Sequence, residues 1–206
     1  MYVKGRQIIY LGWGCITNKN MSAITEYGLD SPARALLILV LSIKNREPMS
    51  KLHFQKTILY FERMQKQNDI DFSDFHYGGV SYELQENLEV LEEYGLIDRV
   101  GNKYKLTEEG EKTAEDLSKL YDAETIRKLI FAKQQLNDLP DRELLYLMYK
   151  LFPDTQVNSI EYKKLEEEKE ILIRKLFLKG KITAHMAAEW LGIKEKDFIE
   201  SLPRKN

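Results

Sequence analysis

Residues 81–107 read "SYELQENLEVLEEYGLIDRVGNKYKLT", and this stretch decides the fold. Leu84, Leu88 and Leu91 fall at i, i+4 and i+7, the spacing of one buried helix face. Ser81 stands where an N-cap is wanted, because its hydroxyl can accept a free first-turn amide. Gly95 suits the left-handed residue that closes a helix. Two strand-like runs then flank Gly101-Asn102, a two-residue hairpin signal. Thr107 and the acids behind it can open a further helix. The pattern predicts a helix followed by a β-hairpin.

Upstream, Ser31-Pro32 is a helix opening, and the helix should run to about residue 45. It is apolar on nearly every side, which predicts burial. Pro48 breaks the chain, and Ser50 can cap a second helix through about residue 66. Its inner faces are Leu52, Phe54, Ile58, Leu59 and Phe61. Three helices followed by a hairpin is the winged-helix order.

Downstream, residues 108–155 read as helical, with Pro140 in a first turn and Pro153 as a stop. A single charged helix is expected from Ser159 to about Leu178, with Tyr162, Leu165, Leu172 and Leu176 as its inner stripe. The stripe packs on the chain's own core or forms a seam between two copies; it is short for a coiled coil. The expected class is mainly α: a winged helix-turn-helix over 29–120 (three helices plus a β-hairpin wing), a helical connector over 121–160, and a C-terminal helix-turn-helix over 161–206.

The 206 residues carry 31 Lys and Arg against 33 Asp and Glu, so no global basic field points to nucleic acid. One cysteine, Cys15, excludes an internal disulfide and a cysteine-rich zinc site and fits a reducing cytoplasm. Lys4 and Arg6 before the apolar run 8–16 imitate a short signal peptide, but Gly12 and Gly14 interrupt it and no small-residue cleavage site follows. Residues 1–28 are expected to be a poorly ordered leader, with Met21 as an alternative start. The run "ALLILVLSI" (35–43) is shorter than the roughly 20 residues that cross a bilayer. No membrane association is expected, and a cytoplasmic location is.

Between residues 52 and 110, "KLHFQKTILYFE", "FHYGGVSYELQENLEVLEEYGLI" and "YKLTEEG" resemble a prokaryotic winged-helix group related to the Panacea-type, SocA-like antitoxin domain. Gln55-Lys56, Tyr77-Gly78 and Ser81 match that pattern, while Phe54 and Gly79 replace its Leu and Pro. The segment "NDLPDRELLYLMYKLFPDTQVNS" is similar to one that often follows the module. The tail "LFLKGKITAHMAAEWLGIKEKDFIESL" resembles a small antitoxin-like helix-turn-helix family through Gly180-Lys181-Ile182-Thr183, Ala187-Ala188-Glu189, Gly192 and Phe198. Thr183 would cap its first helix, Ala188 would allow close helix approach, and Gly192 would make the turn. Leu191, Ile193, Phe198 and Leu202 would bury the pair, with Trp190 against it. These resemblances imply regulation rather than catalysis.

Charge then separates two kinds of partner. Groove binding is dominated by Lys and Arg contacts to phosphates, and a winged helix usually inserts its third helix. Here that helix carries Glu83, Glu86, Glu89, Glu92 and Glu93 and no basic residue. Gln85 and Asn87 could read adenine in principle, without basic company. The candidate phosphate contacts lie elsewhere: Lys51 and Lys56 before the hairpin; Arg99, Lys103 and Lys105 on the wing; Lys179, Lys181, Lys194, Lys196 and Arg204 in the tail. Residues 171–206 hold eight basic residues against four acids, which makes the tail the more basic end. The leading expectation is a DNA-binding transcriptional regulator, with double-stranded DNA as partner and a homodimer as its form. The alternative is an antitoxin-like or adaptor protein that binds a basic protein partner through Glu83, Glu86, Glu89 and Glu93.

Catalysis is not expected. His53, His76 and His185 stand singly, without the i, i+4 pairing of a helical zinc site, and neither a phosphate-cradling glycine loop nor a Gly-x-Ser-x-Gly elbow occurs. Neither a metal nor a cofactor is implied.

Overall fold

The computed structural model describes residues 9–11, 14–16, 29, 31–43, 47–66, 70–72, 79–157 and 159–202. They are mainly helical, with a small antiparallel sheet, and divide into two compact units: Met1–Phe72 with Ser81–Asn137, and Ser73–Val80 with Asp138–Asn206. The stretch expected as a connector, 121–160, is thus split between the units. Of the expected leader, β1 (Ile9–Leu11) and β2 (Gly14–Ile16) pair antiparallel; the rest lies outside the described residues.

The first unit is built around α1 (Pro32–Ser42). Ala33, Ala35 and every residue from Leu36 to Leu41 are buried, as expected of a helix apolar on all sides. The helix is shorter than its expected reach to residue 45. It turns extended at Ile43, where the ammonium of Lys133 donates to the carbonyls of Val40 (2.8 Å) and Ile43 (2.7 Å) and so satisfies the helix end. Strand β3 (Met49–Ser50) leads into α2 (Lys51–Gln65), capped by Ser50, whose Oγ accepts the His53 amide.

Helix α3 (Tyr82–Glu93) follows, capped by Ser81, with Leu84, Leu88 and Leu91 buried. It ends at Gly95, whose φ of 69° lets the Leu96 amide reach back to the Leu91 carbonyl at 3.0 Å. The hairpin β4 (Ile97–Val100) and β5 (Lys103–Leu106) turns at Gly101-Asn102, with Arg99 opposite Tyr104. β3 pairs with the other edge of β5, giving the antiparallel order β3-β5-β4. Thr107 closes the hairpin by donating its hydroxyl to the Gly95 carbonyl (2.7 Å), and it caps α4 (Glu108–Ser118) through the Gly110 amide. Helix α5 (Ala123–Leu136), capped by Asp122, packs on α2.

The second unit comprises α6 (Asp141–Leu151), a 3-10 turn (Pro153–Gln156), α7 (Ile160–Glu166), α8 (Lys169–Leu178), α9 (Ala184–Leu191) and α10 (Glu195–Glu200). The single helix expected over 159–178 is therefore two. The amide of Glu168 bonds the Leu165 carbonyl, an i−3 partner that tightens the chain between them. α7 packs chiefly on α6, whereas α8 packs on α6 and α9, and the break lets each bury its own face. Gly180 and Gly192 have φ of 69° and 71°, and each is followed by an amide reaching back over the helix end: Lys181 to Leu176 (2.9 Å) and Ile193 to Ala188 (3.0 Å). The rings of Phe177 and Phe198 meet edge to face at 5.1 Å, locking α8 to α10. Thr183 caps α9 as expected and Ala187, Ala188 and Phe198 are buried, but Ile193 projects into solvent because it sits on the outside of the turn. No helix among the described residues is long and apolar enough to cross a membrane.

Candidate functional site

The exposed face of α3 is held in place from below. The Gln55 side chain, on α2, grips both backbone groups of Ser81: its Nε2 donates to the carbonyl (2.7 Å) and its Oε1 accepts from the amide (2.8 Å). All four atoms are removed from water, so the pairing is directional and hard to exchange. One turn on, Arg34 of α1 donates to Asn87 Oδ1 (2.6 Å), and Asn87 Nδ2 donates to the Glu83 carbonyl (2.8 Å). Asn87 is 7% exposed, which removes it from the base-reading role considered for it.

What α3 shows to solvent is acidic and aromatic. Glu86, Glu89, Glu93, Tyr82 and Tyr94 are exposed and Glu83 is half-buried. Glu89 stands 3.9 Å from Lys51, and Glu92 pairs with Arg99 at 3.0 Å. Glu83, Glu86 and Glu93 make no ion pair among the described residues. Partial burial, reinforced by the charges of Asp71 and Glu86, lifts the Glu83 carboxyl above its ordinary value. Asp71 thus extends the acidic face.

The basic candidates are placed less favourably for DNA. Lys56 is corrected outright: it is 1% exposed, and loss of solvent around the ammonium lowers its pKa from 10.5 to about 8. A buried amino group cannot reach a phosphate. Lys179 bonds Glu143 at 2.7 Å, and the Lys181 side chain is 8% exposed and bonds Asp138 at 2.7 Å. Burial would raise Asp138, but the hydrogen bond and charge of Lys181 outweigh it and hold the carboxyl below its usual range. These two lysines staple the second unit and are not presented as a phosphate clamp. Lys196 lies 3.7 Å from Glu200 and Arg99 is committed to Glu92 and stacked over Tyr104. Lys103, Lys105 and Lys194 are exposed and make no ion pair among the described residues. Arg204 lies outside the described residues, as do Tyr77 and Gly78 of the motif.

Of the histidines, His53 contacts the Ser50 hydroxyl (2.9 Å) and His185 lies 3.5 Å from Glu195, each far from a second imidazole in sequence. A cleft of about 330 Å³ in the first unit is lined by Leu59, Glu62, Arg63, Ile70, Asp71 and Phe72, two carboxylates and a guanidinium among apolar groups. In α10, six residues long, Glu195, Asp197 and Glu200 outnumber Lys196. No family model and no curated protein matches the chain.

Proposed function

We propose that the chain is a non-enzymatic prokaryotic regulator of the antitoxin or adaptor kind, working in the cytoplasm, whose first unit is a winged helix that presents the acidic face of α3 to a basic protein. The winged-helix reading rests on the order α1, β3, α2, α3, β4, β5 with β3 laid on β5. The observation that carries the function is the content of the α3 surface. The helix a winged helix would place in a DNA groove exposes Glu86, Glu89 and Glu93 and no cation, and Asp71 and Glu83 enlarge the negative field. Exposed carboxylates, of which Glu86 and Glu93 make no ion pair among the described residues, repel phosphate and attract Lys- or Arg-rich surfaces, and flanking tyrosines add contact area of the kind interfaces favour.

DNA binding is the second reading, narrowed to the wing. Lys103 and Lys105 alternate with buried Tyr104 on β5, so both project from the same outer side of the hairpin. In this reading the wing supplies the phosphate contacts.

The test pairs two measurements on the full chain. Small basic proteins encoded beside it are co-expressed and co-purified with wild type and with Glu83, Glu86, Glu89 and Glu93 all changed to Gln. Random duplex is titrated at low and moderate salt. The proposal expects a partner retained by wild type and by K103E/K105E but lost by the Gln variant, with weak duplex binding throughout. Steeply salt-dependent duplex binding that K103E/K105E abolishes transfers the function to DNA.

A further inference from the structure

The cleft in the first unit is formed by α2 and by residues 70–72. Leu59, Glu62 and Arg63 stand at i, i+3 and i+4 on α2 and so share one helix face. The helix stops just beyond them. Lys66 takes the left-handed conformation (φ 57°, ψ 35°), and its amide turns back to the carbonyls of Glu62 and Arg63. Ile70, Asp71 and Phe72 supply the rest of the lining, around a volume of about 330 Å³. That volume lies at the lower end of the range for small-ligand sites.

The lining selects the charge of an occupant. Its formal charges are those of Glu62, Asp71 and Arg63, so a monocation brings their sum to zero and an anion doubles the negative excess. The cleft lies against the last turn of α2, where the helix macrodipole presents its negative end. After partial burial, the charge of Asp71 is the next cause that lifts the Glu83 carboxyl, so a negative field extends from the cleft toward α3. Glu62 is 2% exposed, and little water screens it. Leu59, Ile70 and Phe72 are apolar, which suits a hydrocarbon body and not a hydrated inorganic cation.

We propose that this cleft binds a small organic monocation, an ammonium or guanidinium group on a short hydrocarbon stem. The cationic head is held by the carboxylates of Asp71 and Glu62, and the stem lies against Leu59, Ile70 and Phe72. Exposed Arg63 limits the charge admitted, because a second cationic group meets its guanidinium. Free amines and guanidines carry this head and stem, and so do Lys and Arg side chains. A free ligand makes the protein a sensor of small cations. A side chain makes the cleft an anchor point for the basic partner of α3, and only that second source rests on the function proposed above.

Proton–nitrogen correlation NMR of the full chain tests the site. The probes are n-butylguanidinium and n-butylammonium, with n-butanol and butyrate as neutral and anionic controls on the same stem. The cations should shift the amides of residues 59–63 and 70–72 in a saturable way, and the controls should bind at least about tenfold more weakly. D71N, at an exposed position, should weaken both cations about fivefold. R63Q should tighten them about twofold, since it removes the one opposing charge. A capped Ala-Ala-Arg-Ala-Ala peptide separates the sources: binding tighter than n-butylguanidinium assigns the cleft to a protein-borne side chain, and weaker binding assigns it to a free ligand. The titrations need no partner, so their failure leaves the reading of α3 intact. Cations that shift no amide of the cleft, butyrate that binds as well as they do, affinities unmoved by D71N, or weaker cation binding by R63Q would each overturn the proposal.

Discussion

Replacing Lys133 by Met should destabilise the protein far more than loss of any exposed charge. Lys133 is 0% exposed, and its ammonium donates to the carbonyls of Val40 and Ile43, the orphan acceptors at the end of α1. Met fills nearly the same volume, so cavity formation contributes little. Each carbonyl deprived of its donor away from water is worth roughly 1–3 kcal/mol. Removal of a cation from the negative end of a helix adds up to ~2 kcal/mol in partly buried geometry. The buried lysine's own desolvation is recovered, so the net expected loss is about 3 kcal/mol. Urea unfolding followed by far-UV circular dichroism reads this as a fall in midpoint at unchanged slope. The control is Lys128→Met on the same helix, which breaks a 2.9 Å pair with Glu124 and a 2.6 Å bond to Gln65 at a solvated site and should lose less than about 1 kcal/mol. Equal losses for the two variants would refute the assignment of Lys133 as the cap of α1.

Lys56 gives a signature in pH. Its folded pKa of about 8 lies below the ordinary 10.5, so between those values the unfolded chain binds more protons and stability should rise with pH. At about 1.4 kcal/mol per pH unit the rise amounts to about 3 kcal/mol, and it should vanish in Lys56→Met; equal pH slopes in urea unfolding of the two proteins would contradict the burial. Gly110→Ala should fail to fold or lose about 3 kcal/mol, because a Cβ there would overlap the Leu96 carbonyl oxygen at the hairpin base, where backbone cannot yield cheaply. Thermal unfolding reads this, and a midpoint within a few degrees of wild type would show that α4 does not approach β4 so closely.

Local signals explain why so many elements were legible. Ser50, Ser81, Thr107 and Thr183 cap helices through their own hydroxyls, and Gly95, Gly101, Gly180 and Gly192 adopt the left-handed conformation their turns require. Each depends on chemistry within about four residues. The break at Glu167–Glu168 was not legible because neither residue is a helix breaker; both α7 and α8 pack on α6 but only α8 also packs on α9, and that is decided at a distance. The candidate site divided the same way. The acidity of α3 could be read directly, since surface charges on a helix declare themselves by spacing. The availability of Lys56, Lys179 and Lys181 could not, because composition does not say which lysine finds a carboxylate or a core.

By itself, the sequence determined most of the helices, the caps at Ser50, Ser81, Thr107 and Thr183, the hairpin and the negative face of α3, since these follow from periodicity and short-range hydrogen bonding. Only the tertiary structure decided which polar groups remain free. Gln55 reaches Ser81 across 26 residues, Lys133 reaches α1 across about 90, and Lys181 turns inward to Asp138. Such pairings form because burial makes an unmatched polar group expensive, and the partner that satisfies it is fixed by three-dimensional proximity, which no local spacing encodes.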